Sequence, residues 1–139
     1  MVTVSPRTAA AYVRPVILVA DDMEDIRDMY AHYLTGQGFH AELACTGLEA
    51  LSKASVLHPD VIVMDLNMPE LDGWEATRRL KSNDVTRAIP VIALTGLAVS
   101  QSKQAALEAG CDGYLTKPCF PDTLADEIRR VLRRVRRSH

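Results

Sequence analysis

The chain has 139 residues, of which 47% are hydrophobic, and its formal net charge is −2. This length and composition suit one compact domain with its own core and argue against a disordered protein. No apolar run approaches the roughly 20 residues of a membrane-spanning helix, and residues 1–14 lack the apolar segment of a secretory signal. Three widely spaced cysteines favour reduced thiols, so the sequence predicts a cytoplasmic protein with no membrane partner.

Apolar runs alternate with segments of helical spacing after a tail at residues 1–14, which has no clear period. In chain order, the first half predicts a strand at Pro15–Ala20, a helix at Asp25–Gln37, a strand at Phe39–Ala44, a helix between Thr46 and Pro59, and a strand at Asp60–Asp65. The second half predicts a helix at Trp74–Lys81, a strand at Pro90–Thr95, a helix at Val99–Ala109, a strand at Asp112–Leu115 and a helix from Phe120 to about Arg136. This alternation indicates an α/β, doubly wound domain with a parallel sheet and helices on both faces.

Two of the helices carry further local signals. Thr46 and Glu49 form a capping-box pattern at the start of the second helix, and Leu48 and Leu51 are expected to line its inner face. In the last helix an apolar stripe is expected to face the sheet: Leu124, Ile128, Val131, Leu132 and Val135. The arginines of the last helix fall outside that stripe.

Carboxylates follow two of the predicted buried strands. Asp21 and Asp22 come after the first strand, and Asp65 ends the third. The carboxyl edge of an open α/β sheet is where ligands bind, so these groups are expected to lie together. At ~4 Å and an effective dielectric near 20, each pair repels by roughly 4 kcal/mol, which calls for a cation. Hard carboxylate oxygens favour Mg²⁺. An Asp at a strand end often only caps the next helix, which is the simpler interpretation for each residue alone. That interpretation is weaker here because carboxylates follow two strands at once.

Lys117 and Thr95 follow strands that should end at the same edge. A lysine after a short strand is usually a solvated surface group, and a threonine at a strand end is common. Here the ammonium of Lys117 would offset the repulsion among the carboxylates and contact a phosphoryl oxygen. The hydroxyl of Thr95 can donate to an anionic oxygen, and Gly96 leaves room for a ligand to approach.

These residues, in this order, resemble the receiver domain of bacterial two-component response regulators. The resemblance covers about residues 15–136 and rests on Asp21-Asp22, Asp65, Met68-Pro69, Gly73, Thr95-Gly96 and the run from Gly110 to Pro118. It implies a (βα)5 flavodoxin-like fold, with five parallel strands in the order 2-1-3-4-5. It also implies that residues 15–137 form a receiver domain, that residues 1–14 are a tail, and that no output domain follows.

The resemblance assigns a role to each site residue. Asp65 corresponds to the phosphoryl acceptor, Asp22 to a direct Mg²⁺ ligand and Asp21 to a ligand that acts mainly through water. Asn67 resembles the position whose backbone carbonyl also binds the metal. Thr95 and Lys117 resemble the groups that hold the phosphoryl oxygens. Tyr114 resembles the aromatic switch coupled to Thr95, and the Lys117–Pro118 bond is expected to be cis.

The implied function is a phosphorelay switch. Asp65 would accept a phosphoryl group from a histidine kinase or a histidine phosphotransfer protein in a Mg²⁺-dependent reaction. Thr95 would then move inward, Tyr114 would follow, and the face made by helix four, strand five and helix five would bind a downstream protein or a second copy of the chain. A stand-alone receiver that phosphorylates and dephosphorylates itself, rather than a turnover enzyme, is favoured. A receiver cut from a larger regulator or hybrid kinase is the alternative.

Two other classes fit the sequence less well. An aspartyl-phosphate phosphatase usually places a second Asp two residues after the nucleophile as general acid, and that position is Asn67 here. A flavin or nucleotide carrier needs a Gly- or Ser/Thr-rich phosphate loop after the first strand. The acidic segment Asp21–Asp25 would instead repel phosphate unless a metal were bound.

The last eleven residues hold six arginines, at positions 129, 130, 133, 134, 136 and 137, whereas the rest of the chain holds ten basic and eighteen acidic residues. Such a cluster can bind nucleic acid or an acidic partner. No aromatic residues interleave with the arginines, however, and no helix-turn-helix follows. A solvated basic helix face is the favoured interpretation, and nucleic acid is not the expected partner.

Overall fold

The computed structural model describes residues 14–68, 70–96 and 99–137, without the side chains of residues 99–102, 136 and 137. Its elements in chain order are β1 (Val16–Ala20), α1 (Glu24–Gly36), β2 (His40–Ala44), α2 (Gly47–Leu57), β3 (Val61–Asp65), α3 (Gly73–Ser82), β4 (Val91–Thr95), α4 (Val99–Ala109), β5 (Gly113–Thr116) and α5 (Pro121–Arg137). Residues 1–13, the bulk of the expected tail, lie outside the described residues, as does Pro69 of the quoted motif. The element bounds agree with the sequence prediction to within a few residues.

All five strands pair in parallel, in the order β2-β1-β3-β4-β5. This confirms the doubly wound fold and the strand order implied by the resemblance. Every residue of β3 and β4 is buried because helices cover both faces of the sheet. The register pairs Asp65 with Leu94, which places Thr95 one residue further toward the same carboxyl edge.

The sheet separates two core clusters. The first, under α2, α3 and α4, contains Met64, Leu80, Ala93 and Ala106, among others. The second, under α1 and α5, contains Val63, Leu34, Leu94 and Ile128, among others. Alternate residues of each strand point to opposite faces, so the two clusters are built from interleaved positions of the same strands. The predicted stripe of α5 joins the second cluster, as expected.

The inner face of α2 differs from the prediction. Leu48 is 51% exposed, whereas Ala50 and Ala54 are completely buried and Leu51 is partly buried. The helix lies close to the loop before α3, since a Cβ added at Gly47 would meet the carbonyl oxygen of Leu71. Small residues therefore occupy the contact surface, and the larger Leu48 is displaced to the side facing solvent. The predicted cap is present: Thr46 accepts a hydrogen bond of 3.0 Å from the backbone N–H of Glu49.

The three cysteines differ in accessibility, and none forms a disulfide. Cys45 is exposed, whereas Cys111 and Cys119 are buried. Burial raises the pKa of the Cys111 thiol to about 11 and also raises the pKa of Cys119.

We expect iodoacetamide at pH 8 to modify only Cys45 in the native chain and all three thiols after denaturation, because the thiolate is the reactive form. Peptide mass spectrometry reports each site, and equal native rates at Cys45 and Cys111 would contradict the structure.

None of the described helices is long and apolar enough to cross a membrane.

Candidate functional site

Three carboxylates meet at the carboxyl edge of the sheet. Asp21 and Asp22 follow β1, Asp65 ends β3, and oxygen atoms of all three lie within 4.8 Å of one another. Asp21 and Asp65 are almost completely buried, whereas Asp22 is exposed. The sheet order explains the meeting, since β1 and β3 are neighbours and both run toward this edge. The predicted acidic cluster is therefore present in the structure.

The segment that carries Asp21 is held by three hydrogen bonds. Its backbone N–H donates to the carbonyl of Ala44 at 3.1 Å. Its side chain accepts from the N–H of Met23 at 2.9 Å, at the start of α1. The guanidinium of Arg27, one turn into α1, donates to the carbonyl oxygen of Asp21 at 2.8 Å. The turn between β1 and α1 is thus fixed against β2 and against its own helix.

Asp65 is a buried carboxylate with one backbone and one ionic partner. The N–H of Asn67 donates to one of its oxygens at 3.0 Å, and the ammonium of Lys117 lies 3.1 Å from the other. Burial raises the pKa of Asp65, and the charge of Asp21 raises it further. The hydrogen bond from Asn67 and the charge of Lys117 offset only part of this increase. The charged form of Asp65 is therefore disfavoured unless further positive charge is supplied.

Lys117 bridges the two buried carboxylates. Its Nζ atom lies 3.1 Å from Asp65 and 3.3 Å from Asp21. Burial lowers the pKa of Lys117, but the attraction of Asp65 and Asp21 outweighs that effect and raises it overall. The ammonium is therefore charged at neutral pH and offsets part of the repulsion between the two carboxylates.

The loop after β5 carries Lys117. The backbone N–H of Lys117 donates to the carbonyl of Thr95 at 2.7 Å, which joins this loop to the end of β4. The Lys117–Pro118 bond is cis, as the resemblance implied. Cys119 lies two residues after Lys117, and its carbonyl accepts a hydrogen bond of 2.8 Å from the hydroxyl of Tyr30.

Thr95 and Tyr114 lie toward the same face of the sheet. Ala93 and Tyr114 are paired across β4 and β5 and both belong to the cluster under α2, α3 and α4. Thr95 is two residues after Ala93 and therefore points to the same face. Thr95 is buried and Tyr114 is half-buried. The two residues assigned to a switch are thus on the side of the sheet that α4 covers.

Gly73 allows α3 to begin in contact with the end of β3. A Cβ at this position would lie 2.3 Å from the carbonyl oxygen of Asp65 and 2.7 Å from the Cα of Leu66. The N–H of Gly73 also donates to the carbonyl of Leu66 at 3.3 Å. The start of α3 therefore packs directly on the backbone that carries Asp65, and only glycine fits this approach.

The donor set suits a hard divalent cation. The three clustered groups are all carboxylates, the oxygen ligands that Mg²⁺ prefers. Asn67 is two residues beyond Asp65 and exposed, and its N–H already points to the Asp65 side chain. The raised pKa of Asp65 means that its charged form is disfavoured, and a bound cation would stabilise that charged form.

The structure brings together most of the residues that the sequence predicted. Asp21, Asp22 and Asp65 lie together, Lys117 contacts Asp21 and Asp65, and Thr95 ends the neighbouring strand β4. Two further residues that were not predicted from the sequence also bear on the site: Arg27 and Tyr30. The Tyr30 contact depends on how α1 packs against a loop 89 residues away, so no local pattern marks it, whereas Arg27 contacts the backbone only 6 residues before it.

Three of the four described arginine side chains of α5 pair with nearby carboxylates, and the fourth, Arg133, is exposed. Arg130 pairs with Glu127 at 2.7 Å, and Arg134 lies 3.6 Å from Asp112. Arg129 pairs with Asp126 at 3.3 Å. The side chains of Arg136 and Arg137 lie outside the described residues. Local carboxylates thus compensate much of the positive charge on the described part of this face.

Comparison with known proteins agrees with this geometry. A family model described as the response regulator receiver domain matches residues 17–129. The DNA-binding dual master transcriptional regulator RpaA of Synechocystis sp. is 36% identical over 123 residues, which cover 88% of this chain and 51% of RpaA. The polar-differentiation response regulator DivK of Brucella ovis is 32% identical over 116 residues, which cover 84% of this chain and 94% of DivK.

Solved structures of receiver domains also resemble this chain. The receiver domain of a sensor histidine kinase from Pseudomonas aeruginosa, with a magnesium ion coordinated in its active site cleft, is 30% identical to this chain. The two structures align with a TM-score of 0.79, covering 86% of this chain and 98% of that one. This chain spans about half the length of RpaA but nearly all of DivK. With the sheet order, the acidic cluster and Lys117 in place, the chain belongs to the response regulator receiver domain family.

Proposed function

We propose that Asp65 accepts a phosphoryl group from a histidine kinase or a histidine phosphotransfer protein. The observation that carries this proposal is the position of the Lys117 ammonium, 3.1 Å from Asp65 and 3.3 Å from Asp21. It places a fixed positive charge where a phosphoryl group on Asp65 would bring new negative charge. The second carboxylate oxygen of Asp65 already accepts a hydrogen bond from Asn67, which fixes the orientation of the group.

The chain contributes alignment and charge compensation to this transfer. An oxygen of Asp65 forms a bond to phosphorus while the phosphorus–nitrogen bond of the donor breaks, and the electron pair returns to the imidazole nitrogen. Lys117 and the hydroxyl of Thr95 would hold phosphoryl oxygens. Asp21, Asp22, Asp65 and the backbone carbonyl of Asn67 would hold Mg²⁺, which supplies further charge neutralisation when bound. The magnesium ion in the related kinase receiver domain supports this assignment.

The chain is proposed to act as a switch rather than as a turnover enzyme. Phosphorylation would draw Thr95 toward the phosphoryl group, and Tyr114 would move on the same face of the sheet. The face formed by α4, β5 and α5 would then change its affinity for a downstream protein or a second copy of the chain. Local pairing of Arg130 and Arg134 supports a protein rather than nucleic acid as the partner. Residues 15–137 would constitute this receiver, acting in the cytoplasm.

Mg²⁺-dependent labelling tests the proposed chemistry. With acetyl phosphate and Mg²⁺, the wild-type chain is expected to gain about 80 Da, the mass of one phosphoryl group on a single nucleophile. The peptide that contains Asp65 should carry the adduct, and hydroxylamine should remove it because an acyl phosphate is susceptible to nucleophiles. Omission of Mg²⁺ with a chelator should reduce the labelling rate by about 100-fold or more. An adduct on another peptide, or labelling that is equal with and without Mg²⁺, would refute the proposal.

A further inference from the structure

Tyr30 joins α1 to the loop that carries Lys117. Its side chain is 2% exposed, and its hydroxyl donates a buried hydrogen bond of 2.8 Å to the carbonyl of Cys119. Cys119 is also buried and lies two residues after Lys117. The bond spans 89 positions of sequence and therefore connects two elements that only the fold brings together.

The Lys117 loop is held at two points. On the side of β5, the N–H of Lys117 donates to the carbonyl of Thr95 at 2.7 Å. On the side of α5, the carbonyl of Cys119 accepts from Tyr30 at 2.8 Å. Pro118 lies between these points and has no N–H to donate. The position of the Lys117 backbone, and with it the reach of the ammonium, is set by one hydrogen bond on each side.

A phenylalanine would fill the same space as Tyr30, so the hydroxyl needs a separate explanation. A buried hydroxyl costs free energy unless it is hydrogen-bonded, and here its partner is a loop carbonyl rather than a core side chain. Burial raises the pKa of the Tyr30 phenol well above its usual range, and the neighbouring Cys119, Asp21 and Asp65 raise it further. The hydroxyl therefore remains protonated and acts as a donor.

We propose that Tyr30 is a positioning residue for Lys117: its hydroxyl fixes the loop after β5 so that the ammonium meets Asp65 and a phosphoryl oxygen. The inference rests on the proposed phosphoryl transfer to Asp65. Tyr30 acts through the loop and touches neither the carboxylates of the metal site nor the phosphoryl group. Its contribution to the reaction should therefore depend on Lys117 and be independent of Mg²⁺ affinity.

Tyr30→Phe removes the hydroxyl and keeps the ring. At saturating Mg²⁺, we expect acetyl phosphate to label this variant about tenfold more slowly than the wild type, because a loosened loop misplaces Lys117. Mg²⁺ affinity, measured by calorimetry, should stay within about twofold. In a Lys117→Ala background, where labelling is followed over hours, the Tyr30→Phe change should add less than about a twofold effect. Tyr30→Met, which also lacks a hydroxyl and adapts to irregular space, repeats the test if Tyr30→Phe does not fold.

Tyr33→Phe is the matched control. It makes the same chemical change on the same helix, next to the same core cluster, and no hydrogen bond among the described residues joins Tyr33 to the loop after β5. This variant should be labelled at the wild-type rate. An unchanged labelling rate in folded Tyr30→Phe would overturn the inference, as would an equal loss of labelling rate in Tyr33→Phe. A parallel loss of Mg²⁺ affinity in Tyr30→Phe would also overturn it, as would a tenfold slower labelling that persists in the Lys117→Ala background. Failure of the wild type to be labelled on Asp65 would instead refute the proposed function.

Discussion

Asp65→Asn is expected to abolish the phosphoryl adduct and, in the absence of metal, to make the folded chain more stable. The first effect follows because an amide has no anionic oxygen to attack phosphorus. Intact-mass analysis after incubation with acetyl phosphate and Mg²⁺ should show no 80 Da adduct, at a detection limit of roughly 1% of the wild-type signal.

The stability effect follows from the electrostatics of the site. Asp65 is 1% exposed and lies beside the buried Asp21, and burial raises its pKa. A raised carboxyl pKa means that the folded metal-free chain disfavours the charged form, so Asp65 lowers stability as the pH rises through its range. A neutral amide removes this cost, while Lys117 keeps Asp21 as a partner at 3.3 Å. We expect a gain of roughly 1–3 kcal/mol in the free energy of unfolding, measured by urea denaturation with a chelator at pH 7.

Asp84→Asn serves as the control for Asp65→Asn. Asp84 is a highly exposed aspartate that pairs only loosely with Arg87, at 3.3 Å, on the surface after α3. Its replacement should leave labelling unchanged and alter stability by less than about 0.5 kcal/mol. A persistent adduct in Asp65→Asn would place the nucleophile elsewhere. A metal-free Asp65→Asn chain that is less stable than the wild type would show that the Lys117 pairing outweighs the cost of the buried charge.

Gly73→Ala is expected to damage both stability and phosphorylation. Helix propensity alone predicts a gain of at most about 1 kcal/mol, the value for a helix interior, because Gly73 is the first residue of α3. The added Cβ, however, would lie 2.3 Å from the carbonyl oxygen of Asp65, and this neighbour is backbone that moves only if β3 or α3 shifts. We expect the clash to dominate, with a loss of about 1–3 kcal/mol in the free energy of unfolding. Labelling of Asp65 should slow by about tenfold or more because the nucleophile itself is displaced.

Gly36→Ala separates helix propensity from this clash. Gly36 is the last residue of α1, and a Cβ added there meets no atom within 4 Å. This variant should be as stable as the wild type or more stable by up to about 1 kcal/mol, with unchanged labelling. Denaturant unfolding should therefore show a loss of stability for Gly73→Ala but none for Gly36→Ala, and only Gly73→Ala should be labelled more slowly. Equal behaviour would mean that α3 accommodates Gly73→Ala by a small shift.

The strands and the acidic cluster were predictable because the signals are strong and local. β3 and β4 are covered on both faces, so they consist of continuous apolar residues, and each ends in a polar group. Parallel strands with helical crossovers must end at one edge, which brings Asp65 beside Asp21 without any knowledge of the helices. The same reasoning placed Lys117 and Thr95 at this edge.

The contacts of the helices were less predictable because they depend on how closely two surfaces approach. The hydrophobic pattern assigned Leu48 to the inner face of α2, but the helix lies so close to its neighbours that Ala50 and Ala54 occupy that surface. Gly73 was recognised as part of a family motif, whereas the reason for glycine, contact with the Asp65 backbone, is visible only in three dimensions. The role of the Tyr30 hydroxyl depends on a partner 89 residues away.

The sheet itself has an evolutionary consequence. Thr95 and Tyr114 belong to the face under α4, whereas Tyr30 and the Lys117 loop are braced from the face under α1 and α5. The strands that separate these faces are buried throughout at β3 and β4, so residues on one face have few neighbours on the other. Substitutions on the exposed surface of α4 are therefore expected to leave the bracing of the Lys117 loop intact, whereas a change at Thr95, which this loop contacts at 2.7 Å, is not. A duplicated gene can thus diverge on the α4 surface while the loop that carries Lys117 keeps its position.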